Sequence, residues 1–130
     1  MPAMSVVAFP ATVAHAGDFA PAPPNPLYVV SPQDVNVVIQ QVPAVGDIHV
    51  RLPGAKDVLP PGDGDFYFVT DPLGLISGAH QLVLEGVGGG NGGFQINGTD
   101  TQTIKVVNGW IAVQFDAVNQ VWACFRGDIA

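Results

Sequence analysis

The fold is decided between Gln81 and Gly127. In order, this stretch reads Gln81-Leu-Val-Leu-Glu85, the loop Gly86-Val-Gly-Gly-Gly-Asn-Gly-Gly93, Phe94-Gln-Ile-Asn97, the run Thr101 to Val107, the pair Asn108-Gly109, Trp110 to Phe115, the turn Asp116-Ala-Val-Asn119, and Gln120 to Arg126. Short apolar runs separated by Gly- and Asn-rich turns read as strands of a β-meander, and no helical pattern interrupts them. Asn and Gly both tolerate positive φ, so Asn108-Gly109 is expected to form a type I′ turn that pairs Thr101–Val107 antiparallel with Trp110–Phe115. In the second of these strands Ile111, Val113 and Phe115 share one face, and Trp110, Ala112 and Gln114 the other. In the last strand Val121, Ala123 and Phe125 alternate with Trp122, Cys124 and Arg126. Large apolar residues thus occur on part of each face. One face can pack a core, and the other then needs a second layer from this chain or from another subunit.

Upstream the same grammar continues. Phe66-Tyr-Phe-Val-Thr70 is a strand closed by Asp71-Pro-Leu-Gly74, and Pro60-Pro-Gly-Asp-Gly-Asp65 before it is a turn cluster. Asp47 to Leu52 alternates, with Ile48, Val50 and Leu52 inward and His49 and Arg51 outward. Leu27–Val30 and Val35–Val42 are strand candidates, although Ser31-Pro32 also offers a helix start, which leaves strand or short helix open for residues 31–42. Residues 1–26 differ in kind. Prolines at 2, 10, 21, 23, 24 and 26 favour extended, polyproline-like backbone. A solvated tail is normally polar, yet this one carries Val6, Val7, Phe9, Val13 and Phe19. Two readings stand, a linker and an apolar arm that grips a partner. The expected organisation is an arm over 1–26 and a β-rich domain over 27–130, all-β, as an antiparallel sandwich or barrel-like meander.

Composition narrows the function. The chain has 130 residues, about one domain, of which 48% are hydrophobic and only 12% charged. Mean hydropathy is +0.33. Such a charge-poor, Gly- and Pro-rich chain suits an all-β protein that buries surface in an assembly. Four cations, scattered as Arg51, Lys56, Lys105 and Arg126, against eleven carboxylates give a net charge of −7, which excludes a phosphate-binding patch and argues against nucleic acid as partner. No run reaches the roughly twenty apolar residues of a membrane-spanning helix. Ala14-His15-Ala16 loosely mimics a leader cleavage site, but without a basic segment before it a leader is not expected.

Chemistry has little raw material here. Gly88 to Gly93 matches the letters G-x-G-x-x-G, but that motif needs a following helix to meet a pyrophosphate, and Phe94-Gln-Ile-Asn97 reads as strand and turn. Asp63, Asp65 and Asp71 lack the spacing of a calcium loop and read as turn residues. His15, His49 and His80 share no metal-ligand spacing; His80, at a strand start, is placed to hydrogen-bond the neighbouring loop. The serines are Ser5, Ser31 and Ser77, Cys124 lies in an apolar run, and Glu85 is the sole glutamate. No nucleophile–base set or paired-carboxylate site emerges. Asn97-Gly98-Thr99 fits a glycosylation sequon, a match of low information. No catalytic residue, cofactor or metal is therefore expected. Trp110 and Trp122, on neighbouring strands, are read as core or interface aromatics.

From about Arg51 to Phe125 the punctuation resembles a β-rich module of tailed-phage virion proteins. The resemblance rests on Leu52-Pro53, Pro61-Gly62-Asp63, Phe66-Tyr-Phe-Val69, Asp71-Pro-Leu-Gly74, Leu82-Val-Leu84, Ile96-Asn97-Gly98, Gly109-Trp-Ile-Ala-Val-Gln-Phe-Asp116 and Asn119-Gln-Val-Trp122. Asp116-Ala117 departs from the more usual Asp-Gly at the last turn. The resemblance implies a capsid decoration (cement) protein, a homotrimer on the outer surface of the virion with the major capsid protein as partner and no contact with DNA. Val6, Val7, Phe9, Val13 and Phe19 would then grip the capsid, and Trp110, Trp122, Phe66 and Phe68 are the subunit-interface candidates. The competing expectation is a receptor- or carbohydrate-binding module of a fibre or spike, using Trp110, Trp122, Tyr67 or the Gly88–Gly93 loop.

Overall fold

The computed structural model describes residues 11–14, 27–30, 36–39, 42 and 46–127. Among them the secondary structure is all β. The strands are β1 (Ala11–Ala14), β2 (Leu27–Val29), β3 (Asn36–Ile39), β4 (Ile48–Arg51), β5 (Phe66–Thr70), β6 (Leu82–Glu85), β7 (Thr101–Ile104), β8 (Trp110–Asp116) and β9 (Val121–Arg126). They form a five-stranded sheet, β1-β3-β5-β8-β9, and a four-stranded sheet, β2-β4-β6-β7, which sandwich one core.

From β1 to β6 each strand lies in the opposite sheet from the one before it. Neighbours within a sheet are therefore two strands apart in sequence and run the same way: β1 with β3, β3 with β5, β2 with β4, and β4 with β6 are parallel. Only the last third is antiparallel, with β6–β7, β5–β8 and β8–β9. The sheets are thus mixed, where the sequence suggested antiparallel pairing throughout. Alternation reports which face a residue takes, but not which strand lies beside it. Asn36–Ile39 is a strand with Val37 and Ile39 buried, while the helix start at Ser31-Pro32 lies outside the described residues. Ala11–Ala14 pair with β3, so part of the expected arm belongs to the sheet.

The Asn108-Gly109 hairpin does not form. β7 belongs to the four-stranded sheet and β8 to the five-stranded one, so this pair carries a crossover. Of the two, only Asn108 has positive φ, at 62°. The cause is Asp71. Its buried carboxylate accepts the Asn108 backbone N–H at 3.0 Å, and its carbonyl accepts the Asn108 side-chain amide at 3.0 Å. The same carboxylate accepts Leu75 N–H at 2.7 Å and Ile76 N–H at 2.9 Å. A tertiary capture therefore overrides the local turn preference. The tight β8–β9 hairpin instead uses residues 117–120, with Gln120 at φ 55°.

The core follows from period two. Ile48, Val50, Leu52, Leu82, Leu84 and Ile104 point in from one sheet, and Val37, Ile39, Tyr67, Val69, Ile111, Val113, Phe115 and Trp122 from the other. Trp122 lies 5.0 Å from Phe115 and 5.7 Å from Tyr67 between ring centroids, and Phe94 meets Phe115 at 4.8 Å. Arg126 reaches across from β9, its guanidinium donating to Gln102 Oε1 and to the Thr103 carbonyl, and so ties the two sheets together.

Candidate functional site

The outward face of the five-stranded sheet is apolar and aromatic. The register sets Phe66, Phe68 and Thr70 of β5 beside Gln114, Ala112 and Trp110 of β8, and Ala112 beside Phe125 of β9. Phe125 is 56% exposed, Phe66 41% and Trp110 36%. Phe68 is half-buried and meets Trp110 edge-on, at 5.4 Å and 88°. Gly127 leaves space for the indole: a Cβ there would collide with the Trp110 ring. No described strand covers this face. Aromatics arranged in this way supply large rigid contact area at low entropic cost, which is the chemistry of a packing surface.

Three of the four interface candidates, Trp110, Phe66 and Phe68, meet here. Trp122 does not. It is fully buried, at 0% exposure, in the core of the single chain, and so is unavailable to a partner or a sugar. Phe125 takes its place on the outer face. The hairpin register carries this information: with residues 117–120 as the turn, Phe115 opposes Trp122, which puts Trp122 on the inward side with Ile111 and Val113. Tyr67, another candidate for a sugar platform, is also buried. Of the arm residues, Val6, Val7, Phe9 and Phe19 lie outside the described residues. Val13 lies in β1 at the register position of Val38, its side chain also outside the description.

The outward face of the other sheet is polar. Glu85 accepts from His49 Nδ1 at 2.7 Å and from Arg51 Nη2 at 3.2 Å. Arg51 in turn lies against Gly89, where a Cβ would strike its guanidinium. The Gly-rich loop is tightly turned and fastened: Ala55 and Lys56 N–H donate to the carbonyls of Gly92 and Asn91, and the Asn91 side-chain amide donates to the Leu52 carbonyl and to Asp57. Among the described residues no helix follows it; Ile96 makes isolated bridges to Thr99 and Trp122 instead. The turn carboxylates are engaged locally, Asp63 by Ala117 N–H and Asp65 by Gly62 N–H. Asp116 accepts the Asn119 side-chain amide and the backbone N–H groups of Asn119 and Val118, which hold its carboxyl below the ordinary value. His80 donates to the Gly46 carbonyl at 2.6 Å, so its ring reaches the segment before β4 rather than the turn beside it in sequence. Among the described residues no three His, Cys, Asp or Glu side chains are grouped to hold a metal ion.

The rim strand β9 is sealed along part of its free edge. Asn97, at φ 49°, uses its side-chain amide as a strand would use a peptide group: Oδ1 accepts Cys124 N–H and Nδ2 donates to the Cys124 carbonyl. Its own N–H donates to Trp122 O, and Trp122 N–H donates to Gln95 O. Such caps block pairing with another chain through the edge. No protein-family model matches the chain, and no curated protein sequence matches it.

Proposed function

We propose that the protein is a structural protein of a tailed-phage virion, a homotrimer bound to the outer surface of the capsid. The observation that carries this reading is the aromatic sheet face, which no described strand covers and whose one charged described group is Asp116, while the described carboxylates and histidines are spent on holding turns and strands in place. The protein then acts by binding the assembled state. Many copies, each engaging the shell weakly, together oppose the internal pressure of packaged DNA. The arm supplies the grip on the major capsid protein through Val6, Val7, Phe9, Val13 and Phe19, of which the first three can be removed without touching β1.

The test is sedimentation with expanded capsids that lack the protein. Saturable binding and raised thermal resistance of the shell are expected, and no binding by the full chain overturns the reading. Because Ala11–Ala14 pair in the sheet, deletion of residues 1–10 is the informative truncation; normal binding by that variant sinks the arm. The exposed Trp110 favours a second reading, a carbohydrate-binding module of a fibre. A glycan-array signal abolished by Trp110→Ser, without capsid binding, would establish that one instead.

A further inference from the structure

We infer that the outward face of the five-stranded sheet is where copies of this chain meet one another. The argument is first one of charge. The protein carries −7, so most approaches of two copies bring like charges together. This face is different. Among its described side chains, which include Val38, Phe66, Phe68, Trp110, Gln114 and Phe125, the one charged group is Asp116 at the tip of the β8–β9 turn, and its oxygens are already engaged by Val118 and Asn119. A strongly charged partner would find only that engaged carboxylate at the rim, whereas a second copy presents the same aromatic surface. The opposite sheet, with His49, Arg51 and Glu85, has no such face.

Size and edge geometry agree. Five strands about 4.8 Å apart, each offering about five residues at 3.3 Å, give roughly 400 Å² of flat footprint, in the range of functional patches on small proteins. Accessible area exceeds the flat footprint. The face therefore approaches the roughly 600 Å² per partner at the lower limit of standard interfaces, which makes association concentration-dependent. The Asn97 cap on β9 disfavours strand addition at that edge, so contact is through the face; in a trimer the three faces turn toward the three-fold axis, one part of each meeting a different part of its neighbour. The inference deepens the proposed function by assigning its subunit contact, and it is tested without any capsid.

The experiment is light scattering on the full chain across a concentration series, with far-UV circular dichroism as the fold control. The wild type is expected to reach a mass that is a small multiple of 13.5 kDa. Phe66→Ser and Phe125→Ser, both at exposed positions, should each lower the association constant about tenfold or more with unchanged dichroism. Val58→Ser, the same kind of change on a loop residue that is 97% exposed, should leave it unchanged. A second readout needs no variant: Trp122 is buried in either state, so the wild-type emission should shift to the blue with concentration as Trp110 becomes covered. A wild type that stays monomeric at high micromolar concentration overturns the inference. So does an oligomer that survives both Phe substitutions, or one that Val58→Ser disrupts equally. Loss of the oligomer on deleting residues 1–10, with Phe125→Ser harmless, assigns the contact to the arm and also overturns it. Association through this face without capsid binding would fell the proposed function and leave the inference standing; capsid binding by a strict monomer would overturn the inference and the trimer and leave only the capsid role.

Discussion

Asp71→Ala should be among the costliest single substitutions in the chain. The carboxylate is 2% exposed and accepts three backbone N–H groups, from Leu75 at 2.7 Å, Ile76 at 2.9 Å and Asn108 at 3.0 Å. A hydrogen bond to a charged group is worth about 1.5–3 kcal/mol, so three bonds have an upper bound near 9. They do not add, because the Leu75 and Asn108 bonds are only part-buried and their donors can turn to water, whereas Ile76 N–H is buried. A net loss of about 3–4 kcal/mol follows, against a typical total of 5–15. Asp71→Asn keeps the shape and one acceptor oxygen but aims an NH₂ group at a donor, and should cost about 2 kcal/mol. Urea unfolding followed by the emission of buried Trp122 reads the difference, with protein concentration held constant because association adds to apparent stability. With a urea slope near 2 kcal/mol/M, Asp71→Ala should lower the midpoint by about 1.5–2 M. A shift below about 0.5 M would refute the assignment of Asp71 as the clamp that joins the β5 exit to the β7–β8 crossover.

The Gly-rich loop gives a paired prediction. A Cβ at Gly93 would strike the Gly86 carbonyl oxygen, so Gly93→Ala should destabilise by about 2–4 kcal/mol, whereas Gly78 has open space and no positive φ, so Gly78→Ala should be neutral or stabilise by up to about 1 kcal/mol; urea midpoints in the opposite order would contradict the packing of this loop. Asp116, with its carboxyl held low first by the Asn119 side-chain amide and then by the Asn119 and Val118 N–H groups, contributes stability above its unfolded value that is lost as pH falls through the lower folded one. An NMR titration of Asp116 should place its midpoint below 3.8, and Asn119→Ala should raise it; a midpoint unmoved by Asn119→Ala would refute the stated cause.

Inside and outside were largely legible in the sequence. The inward set Ile48, Val50 and Leu52 and the split of Ile111, Val113 and Phe115 from Trp110, Ala112 and Gln114 were readable because side-chain direction alternates whatever the neighbouring strand is. Strand neighbours were not legible. Pairing β3 with β5 or β4 with β6 depends on the chain switching sheets at each connection, and the turn residues that make a switch resemble those that make a hairpin. Asn108-Gly109 is the clearest case: the dipeptide suits a hairpin, but a carboxylate 37 residues earlier captures it. Trp110 and Trp122 were not separable by type either. Their fates diverge because the four-residue turn fixes the register, and counting across that turn would have sent Trp122 inward.

The uncovered face follows from the same topology. Winding from sheet to sheet makes both layers of the sandwich out of one chain, so the inward faces cover each other and each layer is left with one outward face. On the four-stranded sheet that face is made compatible with water by Glu85 between His49 and Arg51. On the five-stranded sheet the equivalent register positions hold Phe66, Phe68, Trp110 and Phe125, with no ion pair among them. A chain that needed only to fold could carry polar residues at those four positions, since none of them closes the core between the sheets. No described strand covers them, and with part of the β9 edge capped by Asn97 it is this face, not that edge, that is open to a further layer.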